Sequence, residues 1–175
     1  AYNEEQRLAP TLDTICQYID SQNLFSYEVI VVDDGSKDQT VSLAQSFSDR
    51  MPLQVESLPV NQGKGAAVRH GMLTSRGDYV LFMDADNSTE VSHLDDFIPH
   101  LDDFHVVIGS RDLPNSQVEK HQTWSKELSG KVGNILIQSL AIRGISDTQC
   151  GFKLFSREAV DTIFPRMTVN RWGFD

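Results

Sequence analysis

Residues 27–36 read "YEVIVVDDGS". The unbroken Val29–Val32 run lacks polar alternation, which predicts a strand buried on both faces rather than a half-solvated one. It stops on Asp33-Asp34-Gly35-Ser36, and a helix carrying Val41, Leu43, Ala44 and Phe47 is expected to start near Lys37–Thr40. Upstream, "EQRLAPTLDTICQYID" (5–20) places Leu8, Leu12, Ile15 and Ile19 at helical spacing, with Pro10 early enough for a first turn. Downstream come a short strand in "LQVESL", the loop "PVNQGKG" and a helix from about Ala66 to Thr74. A second buried strand, "YVLFM" (79–83), runs into "DADN". Beyond it "EVSHLDDFIPHL" reads as helical, "FHVVIGSR" as a strand, 124–142 as a longer helix, and "GFKLFSREAV" as strand, turn and helix start. Strands alternating with helices predict an α/β fold with a mostly parallel sheet. Ligands in such sheets bind beyond the carboxyl ends of strands. Asp33–Ser36, Asp84–Ser88 and Gly109–Arg111 all fall there.

The bulk properties narrow the function classes. A length of 175 residues fits one domain, and 39% apolar residues interleaved with charge exclude a disordered chain. A net charge of −10 argues against nucleic-acid binding through a general basic surface, though not against a small anion in one cleft. Cys16 and Cys150 form neither a zinc spacing nor a disulfide framework, so a reducing compartment is expected. No run approaches the roughly 20 apolar residues of a membrane span. The chain opens on "AYNEE" and stops on "RWGFD", and reads as an excerpt whose true ends are missing.

Each polar cluster has a chemical and an ordinary reading. Asp84 and Asp86, taken as an extended chain, point to one side, where two like charges repel unless a cation lies between them. Mg2+ or Mn2+ with substrate phosphates suits that pair; solvated loop acids are the ordinary alternative. Asp33 and Asp34 can bond a ribose or base, or Asp34 or Ser36 can cap the next helix. In "NQGKGAAVRHG" two glycines flank Lys64 and permit close backbone approach, so Lys64 or Arg69 can face phosphate; the loop is not a Walker motif. Arg111 can pair bidentately with phosphate or form a surface salt bridge. The histidines at 70, 93, 100, 105 and 121 lack metal-ligand spacing and read as surface or capping residues.

In combination, "YNEE", "VVDDGSKDQT", "NQGKGAAVRHGM", "FMDADNS", "GSRD" and "DTQCGFKLF" strongly resemble family 2 glycosyltransferases of the GT-A fold, over essentially the whole length. Within the family the chain looks most like the polyprenyl-phosphate hexosyltransferase branch, and "DTQCGFKLFSREA" with "RWGFD" leans toward the dolichyl-phosphate glucosyl type. The resemblance implies a metal-dependent, inverting transfer of a hexose from UDP-glucose, or alternatively GDP-mannose, to a polyprenyl phosphate, a different acceptor being a further alternative. It implies the cytoplasmic face of a membrane, held peripherally or by segments outside this excerpt. It implies that Tyr2 and Glu4 line the nucleotide pocket and that Asp33 and Asp34 hold base and ribose. Asp84 and Asp86 would hold Mg2+ or Mn2+ on the donor diphosphate, Ala85 would offer backbone, and Lys64, Arg111 and Lys126 would be cations near it. Asp147 and Asp175 are acceptor-side candidates beside Asp86 for catalysis. Ser88 stands where mannosyl-type relatives often carry Gln, which weighs against a mannose donor.

The segment 124–145 carries Leu128, Val132, Leu136 and Leu140 at i,i+4 spacing with Lys126, Lys131 and Arg143 nearby. It can lie on a membrane surface or pack on the sheet. Two rivals stand against the transferase. A receiver-type Mg2+-binding signalling domain also places "VVDD" after a strand, but leaves "NQGKGAAVRHG" and "DTQCGFKLF" without a role. A catalytically silent GT-A domain has no need of an intact D-x-D.

Overall fold

The computed structural model describes residues 1–22, 26–110, 147 and 149–173. It divides into two compact units, 1–107 with 151–174, and 108–150 with residue 175. All elements placed below belong to the first unit, apart from the last residue of β4.

The chain runs α1 (Leu8–Gln22), β1 (Val29–Asp33), α2 (Thr40–Gln45), β2 (Leu53–Ser57), α3 (Lys64–Thr74), β3 (Tyr79–Met83), α4 (Leu94–Phe97), β4 (Val106–Ile108), β5 (Phe152–Ser156) and α5 (Arg157–Ile163). The α/β class expected from the sequence is the class observed. β1 and β2 pair in parallel from Val29↔Leu53 to Asp33↔Ser57. The other sheet has the order β3-β5-β4, and β5 runs antiparallel to β3, with Leu81 opposite Leu154. Parallel pairing is therefore seen between β1 and β2, and antiparallel pairing between β3 and β5. Hydrophobic runs reveal burial on both faces but not the direction of the neighbouring strand.

Burial on both faces is visible residue by residue. Leu81 and Met83 of β3 pack with the cluster built on Leu8, Leu12, Ile15 and Ile19 of α1. Val80 and Phe82, pointing the other way, pack with Val68 and Met72 of α3 and with Phe155, Val160 and Phe164. A period of two on the strand thus serves two cores, each closed by helices. The four residues at helical spacing in α1 are all buried, and Pro10 lies in its first turn. Tyr18 on the same helix donates to Asp95 Oδ1 at 2.7 Å; burial, then that hydrogen bond, push its phenol upward in pKa.

Several boundaries differ from expectation for local reasons. α2 starts at Thr40, where neither Asp34 nor Ser36 caps it. Instead Asp38 Oδ1 accepts the Thr40 amide at 3.0 Å and its hydroxyl at 2.5 Å. α3 begins at Lys64, two residues before the predicted start, because Gly63 at φ 107 turns the chain directly into it. The 91–100 stretch is one α-turn between two 3-10 turns, since Pro99 interrupts any continuous helix. The segment 124–142 lies outside the described residues. At the other end β5 passes straight into α5, whose first turn is capped by Ser156 Oγ accepting from the Ala159 amide at 3.2 Å.

Phe152 is wholly buried and meets the Phe97 ring edge-on at 5.2 Å. Phe152→Ala should cost about 3–5 kcal/mol, read as a lower urea midpoint at unchanged slope.

Candidate nucleotide-sugar site

The polar loops that follow β1 and β2 meet in a cavity of about 610 Å³ lined by Tyr2, Asp33, Gly35, Lys37, Val41 and residues 57–61. Its wall is a zip between two loops. The Asn3 amide donates to Ser36 Oγ (2.8 Å) and the Lys37 amide donates to Asn3 Oδ1 (2.9 Å). The Glu4 amide donates to Thr40 Oγ1 (2.8 Å), the Glu5 amide to Asp38 Oδ2 (3.3 Å), and the Gln39 amide to Glu5 Oε2 (3.0 Å). Asn3 reaches this pairing at φ 54, a conformation asparagine tolerates better than most residues. Burial alone would raise the Asp38 carboxyl, but hydrogen bonds from the Thr40 hydroxyl and amide and from Glu5 hold it below the usual carboxylate range.

Asp33 and Asp34 are adjacent yet face different tasks. The Asp33 side chain, at the cavity, accepts the Ser36 amide at 3.2 and 3.1 Å on its two oxygens. Asp34, 4% exposed, accepts the amides of Gln62 (2.7 Å) and Gly63 (2.8 Å), one on each oxygen. It latches the glycine loop to β1 rather than lining the cavity. Gly35, at φ 75, lies under that loop so closely that a Cβ would stand 2.8 Å from the Asn61 nitrogen.

The glycines around Lys64 do permit close backbone approach, but what approaches is the chain itself. A Cβ on Gly63 would stand 2.6 Å from Asn170 O, and one on Gly65 would collide with Val169 O. Asn170 O also accepts the Ala66 amide at 2.9 Å, so the start of α3 is already occupied. The close approach that these glycines permit is thus made by the protein's own backbone. They seat residues 169–171. Arg69 likewise donates through Nε to Phe164 O at 3.0 Å.

The D-x-D pair is arranged otherwise than an extended chain would place it. β3 ends at Met83, residues 85–86 form a turn, and Asn87 sits at φ 53, so the two side chains do not follow strand alternation. Each carboxylate meets its own cation. Lys64 Nζ stands 2.8 Å from Asp84 Oδ1, and Arg7 Nη1 stands 3.5 Å from Asp86 Oδ2. Asp84 is held by its amide on Gly151 O (3.0 Å), and a Cβ at Gly151 would collide with Asp84 Oδ2. Asp86 Oδ1 accepts the Ser88 amide at 3.1 Å. The Ala85 carbonyl accepts the buried Thr11 hydroxyl at 2.9 Å, which ties the turn to α1. Arg7 also bonds Glu4 Oε1 at 2.6 Å, so Glu4 neighbours the D-x-D turn and does not line the cavity. Buried Glu4 Oε2 and Asn87 Oδ1 lack a hydrogen-bond partner among the described residues.

Asp147 belongs to the second unit, where its Oδ1 accepts the Gln149 amide at 3.1 Å. Arg111, Lys126 and Asp175 lie outside the described residues, as does His121. Of the other histidines, His70 pairs with Glu56 at 3.0 Å, His93 with Asp96 at 3.2 Å, His105 bonds Ser156, and His100 meets the Phe104 ring edge-on. The hydrogen bond from His70, then that from Gln54, lower the Glu56 carboxyl. The structure adds Arg7, Lys37, Gly151 and the loop 57–61. The last was findable, since it too follows the carboxyl end of a strand. Arg7 carried no signal, because Asp86, its partner in the D-x-D turn, lies far away in sequence.

A cavity beyond the ends of β1 and β2 and a D-x-D turn beyond β3 mark an α/β domain of the GT-A type. The chain belongs to glycosyl transferase family 2, whose profile matches residues 1–164. It is 39% identical to a dolichyl-phosphate beta-glucosyltransferase of Dictyostelium discoideum and 37% identical to the one of Homo sapiens, in each case over the full chain and 58% of the relative. The relative in Saccharomyces cerevisiae is 31% identical over the same shares. The chain thus spans less than two thirds of the curated relatives it matches. Among solved structures, mannosyl-3-phosphoglycerate synthase from Rubrobacter xylanophilus superposes with a TM-score of 0.67 at 22% identity, over 90% of this chain and 52% of that one. Glucosyl-3-phosphoglycerate synthase from Mycobacterium tuberculosis, in complex with Mn2+ and UDP-glucose, gives 0.66 at 23%, over 90% and 54%.

Asp34→Ala should destabilise the protein by roughly 2–4 kcal/mol, because two buried amides lose a charged acceptor. Asp34→Asn, which keeps one acceptor oxygen, should cost clearly less in the same urea titration. The Asp38 contribution is complete above the unfolded carboxyl value of about 3.9 and is lost as pH falls through its lower folded value. Asp38→Asn should therefore flatten the acid limb of stability below about pH 4, followed by circular dichroism.

Proposed function

We propose that this domain transfers a hexose, glucose in preference to mannose, from a nucleotide-sugar to a polyprenyl phosphate of the dolichyl type. The observation that carries the reading is one continuous set of contacts. Asp33 lines the cavity, its neighbour Asp34 holds the Gln62–Gly63 amides, and the next residue, Lys64, reaches Asp84 of the D-x-D. A nucleoside held at the first end would lay its diphosphate along that path toward the second. Relatives of 31–39% identity across the whole chain, all dolichyl-phosphate beta-glucosyltransferases by name, support glucose and the lipid phosphate.

In this reading Tyr2 and Asp33 bind the nucleoside, with Lys37 at the cavity mouth as a further cation. Asp84 and Asp86 offer hard carboxylate oxygens suited to Mg2+ or Mn2+, and two orphaned buried oxygens, Glu4 Oε2 and Asn87 Oδ1, lie in the surrounding turns. A bound divalent ion would neutralise charge developing on the departing diphosphate. The chain's own Lys64 and Arg7 supply positive charge beside it, and Arg111 and Lys126 are proposed to add more. An oxygen of the lipid phosphate forms the new bond to the anomeric carbon as the bond to the nucleotide's terminal phosphate breaks. The bonding pair leaves with the nucleotide, and the anomeric centre inverts. The acceptor is already ionised near neutral pH, so no strong general base is required. Asp147 and Asp175 remain proposals for the acceptor side. No helix among the described residues is long and apolar enough to cross a membrane. The segment 124–145 is proposed as the part that meets the lipid at the membrane surface, whether the protein is peripheral or anchored elsewhere.

The test uses full-length protein with Mn2+ or Mg2+ and a polyprenyl phosphate, with UDP-glucose and GDP-mannose assayed side by side. Glucose transfer should dominate, and Asp86→Ala should lower it by about 10²-fold or more. Full activity in that variant would remove Asp86 from the metal role, and equal transfer from both donors would remove the glucose preference.

A further inference from the structure

Lys64 is placed with unusual completeness for a long, flexible side chain. Its backbone follows Gly63, whose amide is latched to Asp34, and the next turn is seated under residues 169–171. Its ammonium stands 2.8 Å from Asp84 Oδ1, 5.0 Å from the centre of the Trp172 ring and 5.5 Å from that of Phe82. Two rings and a carboxylate surround it, and its side chain is only 23% exposed. Asp84 is equally constrained, by its amide on Gly151 O and by the missing Cβ at Gly151. Neither partner was brought here by chance sequence proximity, since they lie on different elements.

We propose that Lys64 is the resident counter-cation of Asp84, that a divalent ion reaches this carboxylate only in exchange for it, and that the anionic donor recaptures the displaced ammonium. The inference rests on the metal reading of Asp84 and Asp86 given above. An ion bound to the Asp84 oxygen at about 2.0–2.1 Å would lie within a few ångströms of an ammonium at the present position. Like charges that close repel strongly in a partly buried site. The four-carbon stem of Lys64 lets its head move away while its backbone stays fixed. A diphosphate arriving with the metal offers the ammonium a new partner. Metal and donor then bind cooperatively through one side chain, and each strengthens the other by the same factor.

The experiment measures Mn2+ binding by the loss of the free-ion paramagnetic resonance signal, with and without UDP, using the full-length protein. Without UDP, Lys64→Met should bind Mn2+ about fivefold more tightly than the wild type, because its competitor is gone. The tightening of Mn2+ binding that UDP produces in the wild type should shrink in that variant, and Lys64→Arg should restore wild-type behaviour. Trp172→Ala, at a site 77% exposed and so tolerant of change, should tighten Mn2+ binding in the same direction by less. Arg76→Met, which removes the same charge away from Asp84, should leave Mn2+ affinity unchanged. If Lys64→Met binds Mn2+ no more tightly without UDP, or Arg76→Met gains as much, the exchange is overturned while the metal site stands. If the wild type binds no Mn2+ or Asp84→Asn binds it equally, the metal reading falls and the exchange falls with it.

Discussion

The buried carboxylate of Asp34 is the interaction on which the rest of the site depends. It sits at the end of a strand whose ladder fixes its position, and it grips two consecutive amides of a loop almost thirty residues later. A charged acceptor for two backbone donors is worth more than neutral hydrogen bonds, and burial makes its loss more costly. By holding Gln62 and Gly63 against β1, it determines where α3 begins and therefore where Lys64 points. The cavity floor at Gly35 and the D-x-D partner at Lys64 are consequences of that one latch.

Around it the protein uses glycine for contact rather than for mobility. Gly35 lies under Val60 and Asn61, Gly65 under Val169, and Gly151 against the Asp84 carboxylate. At each of these positions a methyl group would occupy space already filled by the protein. The charges are treated in the same way. Lys64 and Arg7 stand opposite the two D-x-D carboxylates, so both charges of the turn are already met by the protein's own cations. Such pairs contribute little to stability when partly exposed, and their value lies in holding the carboxylates in place.

Much of this was legible in the sequence. The Val29–Val32 run and "YVLFM" announce strands buried on both faces, and Leu8, Leu12, Ile15 and Ile19 announce the face of α1 that closes one core. Ligands of α/β sheets bind beyond the carboxyl ends of strands, which singles out Asp33 and Asp84. Less was legible about what each polar group does. Asp34 and Asp33 are identical in type and adjacent, and only the loop at 62–63 distinguishes the latch from the residue facing the cavity. The glycines flanking Lys64 signal a close backbone approach, but the segment 169–171 that makes it is a hundred residues away. The direction of β5 escapes pattern reading, because parallel and antiparallel buried strands share the same hydrophobic run.

By itself the sequence determined the α/β class, the helix and strand faces, and the family, because these follow from periodicity and from contiguous motifs. Tertiary structure alone decided which carboxylate latches the loop at 62–63, which lines the cavity and which faces a lysine. Those choices depend on groups brought together across the fold, and burial and charge act on distance in space rather than on separation along the chain.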